Sequence, residues 1–155
     1  MRRFNVFNVD VEHDVDDPEG FRGGGVRIGP LLGASLLGTT LYELPEGQGI
    51  CPYHYEYGNE EWLLVLSGRP TLRHPEGEDE LVPGDLVCFP EGPEGAHAVT
   101  NRTGETVRVL MYSTVRDPSV AVYPDSDKIG VWPGGDGDKI IVRRESGVDY
   151  WDREL

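Results

Sequence analysis

The chain has 155 residues, with 14 basic and 28 acidic side chains and a net charge of −14. That length suits one domain, and the acidic excess repels phosphate backbones and anionic membrane surfaces, which argues against nucleic-acid and membrane partners. Glycine (21) and proline (12) together exceed a fifth of the chain, and only four alanines occur, which excludes a helical bundle in favour of a turn-rich, mostly β domain. The longest apolar run, Trp62 to Leu66, is far shorter than a membrane helix. Arg2 and Arg3 precede the alternating stretch Phe4-Asn5-Val6-Phe7-Asn8-Val9, with none of the apolar core of a secretory signal. Cys51 and Cys88 are too few for a disulfide framework, so a reduced, cytoplasmic setting is expected.

Along the chain, residues 1–34 read as an N-terminal arm. It holds an acidic loop over 10–20 and a flexible connection at Gly23-Gly24-Gly25. A first core strand is predicted over Ser35–Glu43. Further short strands follow at Cys51–Glu56, Glu61–Leu66, Pro70–Arg73, Leu86–Phe89, His97–Asn101 and Val107–Val115. They are separated by turn signals such as Gly58-Asn59, Pro75-Glu76-Gly77 and Pro83-Gly84-Asp85, the pattern of an antiparallel sandwich or barrel. Residues 117–155 read as a C-terminal arm with one short strand, Lys139–Arg143, and a surface turn at Gly134-Gly135-Asp136-Gly137-Asp138. No repeat and no second domain is apparent over 1–155.

Chemistry concentrates in residues 47–68. His54 and Glu56 are two apart and share one face of a strand. A four-residue loop from Tyr57 to Glu60 would set Glu61 directly opposite Glu56, on the same face. One imidazole and two carboxylates converging there call for a cation, since buried like charges are costly. A second segment, Gly84 to Asn101, delivers His97 behind rigid Pro-Glu-Gly turns.

These two segments resemble the paired motifs of the cupin superfamily, G(X)5HXH(X)3–4E(X)6G and G(X)5PXG(X)2H(X)3N. His54, Glu61 and Gly68 keep the first spacing, although Gly49 lies one residue closer to His54 than the pattern asks. Gly84 and Pro90-Glu91-Gly92 keep the second; two extra residues precede His97, and His97 and Asn101 retain theirs. The matched region, residues 47–101, covers about a third of the chain. The resemblance implies an all-β double-stranded β-helix, a jelly-roll barrel with N- and C-terminal extensions, commonly dimeric. It also implies a metal in the lumen held by His54, position 56, Glu61 and His97. Position 56 departs from the family, carrying Glu56 in place of the second histidine. Glu56 is therefore read either as a fourth ligand or as a general base beside the metal. Two imidazoles with carboxylates suit one divalent transition metal, Fe, Mn, Ni or Zn, and a second carboxylate shifts preference toward Mn.

The remaining candidates have plainer readings. Tyr53, Tyr55 and Tyr57 face away from His54, toward packing or a subunit interface; Trp62 also faces out, while Leu63 and Val65 face in. Glu60 is an exposed loop acid, Cys51 and Cys88 are buried thiols, His13 and His74 are surface residues, and Asn101 forms a turn. Residues 122–132 either pack against a second subunit or close the barrel mouth. The expected function is that of a metal-dependent enzyme of dioxygenase, isomerase or lyase type acting on a small organic molecule, in a homodimer. The alternative is a non-catalytic small-molecule or sugar binder, with or without metal.

Overall fold

A computed structural model describes residues 1–134 and 137–154, so Gly135 and Asp136 of the expected surface turn lie outside the described residues. In chain order the elements are β1 (Gly24–Arg27), α1 (Ile28–Leu32), β2 (Leu37–Leu44), β3 (Tyr55–Tyr57), β4 (Glu61–Ser67), β5 (Thr71–His74) and β6 (Gly77–Glu80). They continue with β7 (Leu86–Phe89), β8 (Ala98–Thr100), β9 (Val107–Thr114), β10 (Ser119–Tyr123), β11 (Lys128–Trp132) and β12 (Ile140–Arg143). Three antiparallel sheets result, in the orders β1-β2-β9-β4-β7, β12-β11-β10-β3 and β6-β5-β8. The expected all-β jelly-roll architecture is the one found. Among the described residues no helix is long and apolar enough to cross a membrane.

Period-two alternation builds the barrel interior. Leu63 and Val65 on β4 and Val107, Val109 and Met111 on β9 point inward and are buried, as their parity requires. Most of the intervening residues are apolar too, Arg108, which pairs with Glu43, being the exception. Leu110 and Tyr112 join Leu41 and Ile28 in a second cluster, covered by Phe4, Val6, Val9 and Val11 of the N-terminal arm. The arm therefore shields an outer sheet face that would otherwise expose a large apolar patch. The register shifts between Val65 and Ser67, after which Gly68 turns the chain at φ +76°. A Cβ there would come within 2.9 Å of the Val107 Cα, which is why this motif position is glycine.

Asn101 is a turn-former, as read, and it is fully buried. Its amide donates to the carbonyls of Leu44 (2.8 Å) and Glu105 (2.7 Å), and its oxygen accepts from the Thr103 N–H (2.9 Å) and hydroxyl (2.8 Å). Asn101→Ala strands those groups in a dry interior, and urea denaturation should register a loss of about 3 kcal/mol.

Several expectations need correction. Gly24 and Gly25 form no loose connection, because they pair with Glu43 and Tyr42 in β1–β2. Among the described residues the C-terminal segment holds three strands rather than one, and β10 pairs with β3. Cys88 is exposed, since it lies opposite Trp62 on the outer face of β4–β7. The hairpin placing Glu56 opposite Glu61 does not form. Glu56 pairs with Ala121, whereas Glu61 pairs with Phe89 and Ser113. Gly58 (φ +91°) and Asn59 carry the chain between sheets; the Asn59 side-chain Oδ1 accepts from the Thr114 hydroxyl (3.1 Å) and the Arg116 N–H (3.0 Å).

Candidate metal centre

His54 and His97 face each other as a hydrogen-bonded antiparallel pair. The His54 N–H donates to the His97 carbonyl (3.1 Å), and the His97 N–H donates to the His54 carbonyl (2.8 Å). Local turns then set each ring. His54 Nδ1 donates to the Pro52 carbonyl at 3.0 Å, and His97 Nδ1 donates to the Gly95 carbonyl at 2.9 Å. Both Nε2 atoms are thereby left with a free lone pair. Gly95 is held by space, since a Cβ would overlap the Pro90 carbonyl oxygen.

Glu61 begins β4, and its cross-strand partner Phe89 stacks on His97 with centroids 3.7 Å apart, which fixes the second ring face. The Glu61 Oε2 atom lies 3.7 Å from His54 Nε2 and 3.6 Å from His97 Nε2. The three donor atoms fall within 4.8 Å of one another. His97 Nε2 is buried without any hydrogen-bond partner. Such an orphaned acceptor aimed at a carboxylate, with a second imidazole beside it, matches the donor chemistry of a divalent transition metal. The cluster is compatible with a metal ion.

Burial sets the protonation states. Burial, with the Glu56 charge adding to it, pushes the Glu61 carboxyl up to about 8. Burial together with the neighbouring His54 drives His97 down to about 4, and burial lowers His54 as well. Near neutral pH these three groups, without a cation, are two neutral imidazoles and a protonated acid.

Glu56 stands apart from this group. It is half-buried on β3, two residues from His54 and on the same face; burial raises its carboxyl, while a hydrogen bond from Asn59 acts the other way. Glu60 is an exposed acid, accepting from the Trp62 indole at 2.7 Å. His13 is exposed and bonded to Glu43 (2.8 Å), while His74 is half-buried beside Asp79. Neither belongs to the centre.

The triad opens on a cavity of about 210 Å³ walled by Tyr42, Ile50, Cys51, Val99 and Met111. Sequence reasoning passed over Tyr42 and gave Cys51 no part in the site. The Cys51 sulfur sits 3.6 Å from His54 Nδ1, and burial pushes its thiol up to about 12, so it is an uncharged wall. Tyr123 belongs to residues 122–132, read from sequence as packing against a second subunit or closing the barrel mouth. It stacks on His54 at 5.8 Å and 21°, and only the β3–β10 pairing reveals this.

Residues 40–113 match the family model described as Cupin domain. Among solved structures the chain is similar to a protein of Acidithiobacillus ferrooxidans provisionally named a sugar phosphate isomerase. The two share 26% identity and a TM-score of 0.80 over 93% of this chain and 91% of that one. A sugar phosphate isomerase of the cupin superfamily from Silicibacter pomeroyi gives 23% identity and a TM-score of 0.81, covering 97% and 98%. The polyketide cyclase RemF of Streptomyces resistomycificus gives 23% and 0.61, covering 77% and 83%. No curated protein matches the chain.

Proposed function

Because the chain belongs to the cupin superfamily, we propose that it is a metal-dependent isomerase that interconverts the carbonyl and adjacent hydroxyl of a small organic substrate. In this reading His54, Glu61 and His97 hold one divalent transition metal, Fe, Mn, Ni or Zn. The observation that carries it is the buried, partnerless His97 Nε2 facing the Glu61 oxygen at 3.6 Å. A bound divalent cation supplies Lewis-acid polarisation of a carbonyl oxygen.

The chain's own residues do the rest. Glu56, with its carboxyl raised by burial, takes a proton from the hydroxyl-bearing carbon beside the carbonyl and returns it to the former carbonyl carbon of the enediol, while the hydroxyl proton passes to the former carbonyl oxygen. The apolar walls Ile50, Val99 and Met111 exclude bulk water and restrict the substrate to a few carbons near the metal. Isomerisation is preferred over dioxygenase or lyase chemistry because the structurally similar Acidithiobacillus protein bears that name.

Elemental mass spectrometry of tag-free protein should find about one equivalent of a divalent transition metal, lost in a His54→Ala/His97→Ala double variant. Incubation with small aldoses and aldose phosphates in D2O should then give ketose product carrying deuterium. Metal without exchange or turnover would favour a binding protein instead. No metal after reconstitution would sink the metalloenzyme reading.

A further inference from the structure

The turn after β10, which follows the Tyr123 that stacks on His54, gathers charge. Its two aspartates are already engaged: Asp125 accepts two hydrogen bonds from Arg73 (2.5 and 2.9 Å), and Asp127 lies 3.4 Å from Arg144. Among the described residues seven arginines have carboxylate partners in this way. Among the described residues Lys128 and Arg143 have none, as is true of Arg2, Arg3, Arg22, Arg27 and Lys139; what sets Lys128 and Arg143 apart is their position. They are also direct cross-strand partners in β11–β12 and so project from one face. Like charges set opposite each other repel, and among the described residues no carboxylate pairs with either of them to offset that cost.

That face is the one that carries the metal centre. Lys128 is paired with Tyr123 across β10–β11, and its ammonium lies 5.1 Å from the Tyr123 ring centroid. Tyr123 in turn stacks on His54 at 5.8 Å. A continuous row therefore runs His54, Tyr123, Lys128, Arg143 across neighbouring strands. Arg143 spends one of its donors on the Ser126 carbonyl (3.1 Å), which steadies the guanidinium while leaving donors to spare. The cavity beside the triad has no Lys or Arg in its wall, and Lys128 lies outside it, beyond the Tyr123 ring that stacks on His54.

We propose that Lys128 and Arg143 form an anion subsite that takes the phosphate or carboxylate group of the substrate, while the reacting end reaches His54, Glu61 and His97 past the Tyr123 ring. The subsite deepens the isomerase reading and rests on the same cavity being the substrate site. Its consequence is specificity: the substrate is anionic, with its charge one side-chain layer from the reacting carbonyl.

The test titrates inorganic phosphate and, separately, acetate into the full chain by calorimetry, as purified and after chelation. The chelated sample removes any phosphate held by metal alone. Phosphate should bind, Lys128→Gln and Arg143→Gln should each weaken it about five-fold, and the double variant should lose most of it. Lys128→Arg should retain it. The tighter of the two anions identifies the group. Equal phosphate affinity in the double variant and the wild type, or no binding of either anion by the wild type, overturns the subsite. Neither readout requires metal or turnover, so a failed metal centre and a failed subsite are told apart.

Discussion

Shifting the metal-free protein from about pH 5.5 to about pH 8.5 is expected to lower its stability by about 2 kcal/mol through Glu61 and His97 together. Glu61 is raised from 4.5 to about 8, so its contribution is complete below 4.5 and is lost as pH rises through 8. Over that interval this costs about 3 kcal/mol. His97 is lowered from 6.5 to about 4, so its contribution is complete above 6.5 and is lost as pH falls through 4. It gives back about 1 kcal/mol over the same interval. Thermal melts should show a drop of about 5 °C that is absent in Glu61→Gln, which has no charge to bury. A divalent cation reverses the balance by giving the Glu61 carboxylate a partner and taking up the His97 lone pair. The melting gain on adding metal should therefore be larger at about pH 8.5 than at about pH 5.5, and should vanish in Glu61→Gln. A wild-type slope equal to that of Glu61→Gln would show that Glu61 is not held at its raised pKa by the triad.

The sequence made the ligand cluster legible because its geometry is local. His97 and Asn101 are set by turns immediately beside them, and His54 and Glu61 keep motif spacings that survive small errors of register. Parity alone placed Leu63 and Val65 inside. What stayed hidden was long-range pairing. Glu56 and Glu61 lie five apart around a Gly-Asn turn, which reads as a hairpin until Asn59 is seen bonded to Thr114 and Arg116, far along the chain. Tyr123 and Lys128 sit in a segment with weak strand signals, and only pairing with β3 carries them to His54. Cys88 looked like core because the outer face of β4–β7 is itself apolar, with Trp62 and Leu86 exposed there. Patterning finds which residues avoid water, and it does not say which of two sheets they join.

Replacing Glu56 by Gln separates the two roles open to that residue. The cluster of donor atoms comprises His54, Glu61 and His97, and Glu56 lies along β3 opposite Ala121, whose small buried side chain leaves room for a carboxyl. A proton-transferring Glu56 predicts that Glu56→Gln keeps about one equivalent of metal while turnover falls about 10²- to 10⁴-fold. Loss of metal in that variant would mark Glu56 as a ligand instead. The pH profile adds a check that a structural role would not produce. Burial holds the Glu56 carboxyl above its usual 4.5, so activity should decline on the acid side above that value as the base becomes protonated. In Glu56→Gln this limb should disappear from the residual rate. Glu56→His restores the family's second histidine and so supplies a nitrogen donor in place of the proton carrier. It should bind metal at least as well as the wild type and still fail to turn over, because an added ligand cannot replace the carboxylate's proton transfer.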